Sequence, residues 1–188
     1  ITDSEYQVVS IDQSIPLPDY VFYPNSDTDK TAVEWTVDDL NVAEVATTTD
    51  ANGKVSGTVK AKAAGVAVVK LQVVGKTEVN AAFRLIVRPT NEPKNCKADA
   101  TYNSVSLSWS PVADANGYTI TRKVEGSDTE QTIAHVDGTD TVSYKDTAAQ
   151  TGISYIYHVY AYTKYTNNGQ TDYALSLIHI SEPTRHAQ

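Results

Sequence analysis

Residues 153–163 read "ISYIYHVYAYT". Taken as an extended strand, this run puts Tyr155, Tyr157, Val159 and Ala161 on one face and His158, Tyr160 and Tyr162 on the other. Aromatic and β-branched side chains suit a pleated surface, which favours a strand over a helix of the same length. Working outward, the period recurs in "SVSLSW" (104–109), where Val105, Leu107 and Trp109 alternate with serines, and again in "GYTITRK" after "ADAN". In the first half, "AVEWTV" places Val33 and Trp35 together, and "KVSGTVKAKAAGVAVVKLQVV" reads as two strands split by "AAG". Val55 opens the first of these. Val66, Val68, Leu71 and Val73 are assigned to one face of the second, with a bulge near Val69 and Lys70. Asn52-Gly53 supplies a turn dipeptide suited to positive φ. Sustained helical periodicity is lacking, and the pattern predicts an all-β protein.

The clearest punctuation is "VRPTNEPKN", where Pro89 and Pro93 flank a polar stretch after the strand-like "AAFRLIV". It predicts one domain over residues 1–89 and a second over 90–174, each near the roughly 100 residues of a β-sandwich module. The net charge of −8 comes without a basic run and is divided evenly, which argues against binding of nucleic acid. Cys96 is the sole cysteine, so intrachain disulfides and multi-cysteine zinc sites are excluded. No segment approaches the ~18–20 apolar residues of a membrane-spanning helix. The sequence opens at Ile1 and contains no methionine, so the N-terminus is expected to be a processed or internal boundary.

Two resemblances follow from these residues. Trp35, "NVAEV" at 41–45, "GKV" at 53–55 and Gly65 with its following strand resemble the group 2 bacterial Ig-like domain over roughly 8–88. In the second half, "EPKN", Trp109, Tyr118 and Tyr155 resemble a fibronectin type III module over roughly 93–174. That resemblance implies a buried Trp109, a buried Tyr118 and a Tyr155 hydroxyl bonding back to nearby backbone. The Arg-Gly-Asp tripeptide of integrin-binding members is absent from the corresponding loop, "KYTNNGQTD". Both resemblances imply a tandem of β-sandwiches from a bacterial surface or secreted protein. The closing "LSLIHISEPTR" resembles translated sequencing adapter, since it back-translates through CTG-TCT-CTT-ATA-CAC-ATC, so 175–188 is expected to be an adapter-derived tail. The opposing reading makes Leu175 and Leu177 part of a natural last strand.

Little in the sequence promises catalysis. No G-x-S-x-G elbow is present, and of the histidines only His135 and His158 precede the suspected tail. His158 is expected on the solvent side of its strand and His135 on an edge strand. Cys96 is expected as a buried, inert thiol in the first strand of the second domain. The paired acids Asp38-Asp39 and Asp27 with Asp29 lack the further ligands of a calcium loop and read as surface loops. Tyrosine is the strongest signal, with 9 of the 12 between residues 102 and 173. Tyr160 and Tyr162, with Tyr165 in the following loop, are the candidate ligand contacts, because exposed rings stack on sugars and anchor protein interfaces; the opposing reading is that tyrosine fills half-exposed strand positions well.

The expectation is therefore a non-enzymatic protein without cofactor or metal, made of monomeric modules that serve as spacer or adhesion elements outside the cell. Its partners are expected to be carbohydrate or an extracellular protein. The competing expectation is an accessory glycan-binding or spacer region of a secreted polysaccharide-degrading enzyme.

Overall fold

The computed structural model describes residues 5–21, 32–76, 79–176 and 180–185. Asp27, Asp29, Leu177, His179 and His186 lie outside them. The described residues form strands and contain no helix. The protein divides into two compact units, Ile1–Val87 with Tyr165–Asp172 and Arg88–Lys164 with Tyr173–Gln188.

The first unit contains β1 (Tyr6–Ser10), β2 (Ser14–Pro16), β3 (Val33–Val37), β4 (Ala43–Thr49), β5 (Val55–Ala61), β6 (Gly65–Val73) and β7 (Val79–Arg88). One sheet runs β1-β7-β6-β3 and the other β2-β5-β4. Register makes the core: Trp35 pairs with Leu71 and Val37 with Val69, while Val69 also faces Phe83. Trp35 and Phe83 meet edge to face at 6.5 Å. From the second sheet, Val59 pairs with both Val45 and Ile15. Apolar area removed from water on the inner faces drives this closure, at roughly 25 cal/mol per Å².

The face assigned to β6 from sequence is corrected here. Ala67, Val69 and Leu71 are buried, whereas Val66 is exposed. The registers with β3 and β7 run unbroken through Val69 and Lys70, and the irregularity falls between Leu71 and Gln72. The observed face carries no charge, while the face of Val66 and Val68 also carries Lys70, which stays at the surface. The Asn52-Gly53 turn is as expected. Gly53 has φ +85°, and Asp50 Oδ1 accepts the Asn52 and Lys54 N–H groups at 2.8 Å each.

In the second unit, β8 (Lys97–Ala100), β9 (Val105–Ser108) and β12 (Ser143–Asp146) form one sheet in the order β12-β9-β8. The other contains β10 (Gly117–Val124), β11 (Gln131–Asp137), β13 (Ser154–Asn167) and β14 (Gln170–Leu175), in the order β11-β10-β13-β14. The backbone passes between sheets after β9, after β11 and again after β12, so sequence neighbours face each other across the core. Val105, Leu107, Trp109, Tyr118, Tyr155, Tyr157, Val159 and Ala161 are buried there. Tyr118 donates to the Thr139 carbonyl at 2.8 Å and accepts the Val112 N–H at 2.8 Å. Tyr155 Oη accepts the Gln150 N–H at 3.2 Å, the bond back to backbone that its position implied. Cys96 departs from expectation, for it is half-buried just before β8, with Sγ 3.7 Å from the Pro93 carbonyl. β15 (Ile180–Arg185) runs antiparallel to β13, pairing Val159 with Ile180 and Ser154 with Arg185.

One charged pair lies inside this sandwich. Arg122 on β10 reaches Asp146 Oδ2 on β12 at 2.7 Å, and Tyr157 donates to the same oxygen at 2.8 Å. Asp146 Oδ1 accepts the Ala148 N–H at 2.9 Å, and the Arg122 guanidinium sits 4.8 Å from the Tyr155 ring centroid. Burial pushes the Tyr157 hydroxyl pKa well above its ordinary value, and the Asp146 carboxylate reinforces the shift. Replacing Asp146 with Ala strands a guanidinium in the interior. It should lower unfolding free energy by about 3–5 kcal/mol in denaturant titrations.

Candidate functional site

Alternation along β13 gives the β11-β10-β13-β14 sheet a second face, away from the core, and the tyrosines singled out in the sequence bear on it. Here Thr119 pairs with both His135 and Tyr160, and Thr121 with His158 and Thr132. Gly117 pairs with both Asp137 and Tyr162. A Cβ at Gly117 would come within 2.5 Å of Tyr162 Oη and 2.1 Å of the Val136 carbonyl oxygen. Glycine is therefore required where the tyrosine crosses the strand.

Tyr162 is fully buried, which overturns its expected exposure. Its hydroxyl lies 2.6 Å from Asp137 Oδ1 and 3.2 Å from the Val136 carbonyl, and Lys164 Nζ reaches Asp137 Oδ2 at 3.0 Å. The Tyr162 and Lys164 contacts hold the Asp137 carboxyl below the usual carboxylate range. Burial, with help from Asp137, pushes the Tyr162 hydroxyl pKa up. Tyr160 is half-buried. Its hydroxyl pKa is also raised, by burial and then by Glu130, whose Oε1 is 3.5 Å away. Tyr165 is half-buried at the far end of β13, in the stretch grouped with the first unit, and burial raises its hydroxyl pKa. Tyr160 and Tyr162 thus share a face, and alternation puts Tyr165 on the other.

His158 is likewise corrected, since it is 8% exposed rather than solvent-facing. Its Nδ1 donates to Glu130 Oε1 at 2.6 Å, and that oxygen also accepts the Thr121 hydroxyl. His135 does lie on the edge strand β11. Its ring stacks on Tyr173 at 3.9 Å with an interplanar angle of 6°, and Nδ1 lies 2.9 Å from Thr119 Oγ1. Burial pushes the His135 pKa below its ordinary value of 6.5. Glu130, Thr121, Tyr173 and Asp137 escaped the sequence reading. The period placed residues on a face, but cross-strand register decides which of them meet.

Chemically, this surface is a set of strand-to-strand ties. The Glu130 carboxylate spans β10 and β13 through Thr121 and His158, and Asp137 on β11 reaches β13 through Tyr162 and Lys164. Among the described residues no cluster of His, Cys, Asp or Glu could hold a metal ion. The acids Asp38 and Asp39 organise their own loop: Asp38 Oδ1 accepts the Val68 N–H at 2.7 Å, and Asp39 Oδ1 the Asn41 N–H at 2.9 Å.

Similar solved structures include a two fibronectin type-III domain segment from chicken tenascin, 15% identical over 93% of each protein with a TM-score of 0.46. Domains A168–A170 from titin are 17% identical, in a match spanning 97% of this protein and 61% of that one at a TM-score of 0.43. An Fn3-like protein from Clostridium thermocellum is 26% identical, in a match spanning 51% of this protein and 92% of that one at a TM-score of 0.37. No family model matches the sequence, and no curated protein does. The strand orders described above define the fold as all-β, a pair of Ig-like/fibronectin type III β-sandwiches.

Two outcomes follow for this face. Tyr162→Phe should cost about 1–2 kcal/mol in denaturant unfolding, because the hydroxyl bonds are lost while Asp137 and Val136 lose a partner. Because the unfolded state takes up a proton that folded His135 resists, its stabilising contribution is complete above pH 6.5 and is lost as pH falls through the lowered folded value. His135→Gln should therefore flatten the decline in melting temperature on acidification below that pH.

Proposed function

We propose that the protein is a non-catalytic spacer and adhesion segment of a bacterial surface or secreted multidomain protein. In this reading residues 1–89 are a group 2 bacterial Ig-like domain, 90–174 a fibronectin type III domain, and 175–188 an adapter-derived tail. One observation carries the functional part. The acid, base and hydroxyl groups that could support chemistry, Glu130, His158, Thr121, Asp137 and Tyr162, are bonded to one another across strands. Groups so engaged hold strand register, which suits a module whose task is to keep its shape.

A second reading, accessory glycan binding, draws support from Tyr160 and Tyr173, both half-buried in strands of the same sheet. Rings with one open face are suited to stack on pyranose rings. Calorimetric titration with soluble bacterial and plant polysaccharides separates the two. The spacer reading expects no saturable heat and no release of reducing ends. Saturable binding abolished by Tyr160→Ala, in a variant that unfolds like the parent, would instead establish the glycan-binding role. Tyr162 is unsuitable for this test, since its removal opens the fold itself.

A further inference from the structure

The dipeptide Asn-Gly occurs at Asn52-Gly53, Asn116-Gly117 and Asn168-Gly169. Asparagine before glycine is chemically labile, because no side chain shields the following backbone nitrogen. The three therefore share intrinsic reactivity and differ only in how the fold holds them.

Asn116 is the most constrained. Its N–H donates to the Tyr162 carbonyl at 2.8 Å, and its Oδ1 accepts the Lys164 N–H at 2.8 Å. Gly117 lies within β10, paired on both sides. Asn52 is exposed, but the Gly53 N–H donates to the Asp50 carbonyl at 3.0 Å and the Asn52 N–H to Asp50 Oδ1 at 2.8 Å. The attacking nitrogen is thereby tied into an Asp50-centred turn. Asn168 and Gly169 form the two-residue loop between β13 and β14, both exposed, with φ of +49° and +77°. These angles are those of a type I′ hairpin turn, in which the strand ladder engages the flanking residues and leaves the N–H groups of the central pair outside it.

We propose that Asn168 is a site of spontaneous deamidation, and that the native fold protects Asn52 and Asn116 from the same reaction. The Gly169 backbone nitrogen loses its proton and attacks the amide carbon, Cγ, of Asn168. A new C–N bond forms, the original bond from Cγ to Nδ2 breaks, and ammonia leaves with the proton. Water then opens the resulting succinimide at either carbonyl, giving aspartate or isoaspartate. The net change is addition of water and loss of ammonia, without oxidant or cofactor. The isoaspartyl product adds a backbone methylene to a loop whose geometry allows no extra atom, and both products add a negative charge.

The test is ageing of the full-length protein at mildly alkaline pH, followed by trypsin digestion and mass spectrometry with isoaspartyl methylation as a second readout. Trypsin separates the three dipeptides into residues 31–54, 98–122 and 165–185, and fragment ions assign the residue. Under native conditions, conversion at Asn168 should run several-fold ahead of Asn52 and Asn116, and in denaturant the three rates should converge. Asn168→Gln should abolish the gain in 165–185. Native conversion of Asn52 or Asn116 at the rate of Asn168, or an Asn168 that converts only in denaturant, would overturn the proposal. So would a gain in 165–185 that persists in the Gln variant.

Discussion

Strict alternation along β13 is the constraint on which the second unit depends. One strand of 14 residues pairs with β10 on one side and with β14 and β15 on the other, while its faces serve opposite purposes. Tyr155, Tyr157, Val159 and Ala161 go into the core, and His158, Tyr160 and Tyr162 form a polar and aromatic layer outside. A slip of one residue would exchange those sets, burying His158 against Trp109 and presenting Val159 to Glu130. The hydrogen bonds of both layers specify the same register. Tyr155 and Tyr157 fix it from inside, and Glu130 and Asp137 fix it from outside.

This arrangement explains which parts of the molecule were legible in the sequence. Residues whose role follows from their own strand were readable: Trp35, Trp109 and the inner face of β13 are buried as their period predicts, and Tyr118 is buried as the resemblance implied. Val66 misled because β6 offers two apolar period-two faces, and the deciding fact is the position of Lys70 relative to the neighbouring strands. His158 and Tyr162 misled for a different reason. Period two distinguishes the two faces of a strand, but it does not report that an outer face is roofed by its own side groups. That roof needs Gly117 beneath Tyr162, Thr121 beside His158, and Glu130 just ahead of β11, residues far apart in the sequence.

The outer layer also separates two properties that exposed tyrosines often combine. Tyr162 supplies ring area and hydrogen bonds to the fold, and its contacts with Asp137 and Val136 leave little of it for a partner. Tyr160 is half-buried, paired with Thr119 on β10 and meeting the His158 ring edge to face at 6.2 Å, so its ring is less fully committed to the fold. Affinity for a ligand, if selected, can change at Tyr160 without crossing the stability limit set by Tyr162.

Arg122 and Asp146 belong to different sheets, so their contact fastens the sandwich across its core without a covalent bridge. An ionic fastening forms as soon as the sheets meet and needs neither an oxidant nor a disulfide isomerase. Folding of this unit is therefore indifferent to thiol redox conditions, and reducing agents leave its sheets joined. Salt screens it little, because both charged groups lie inside the sandwich rather than at its surface.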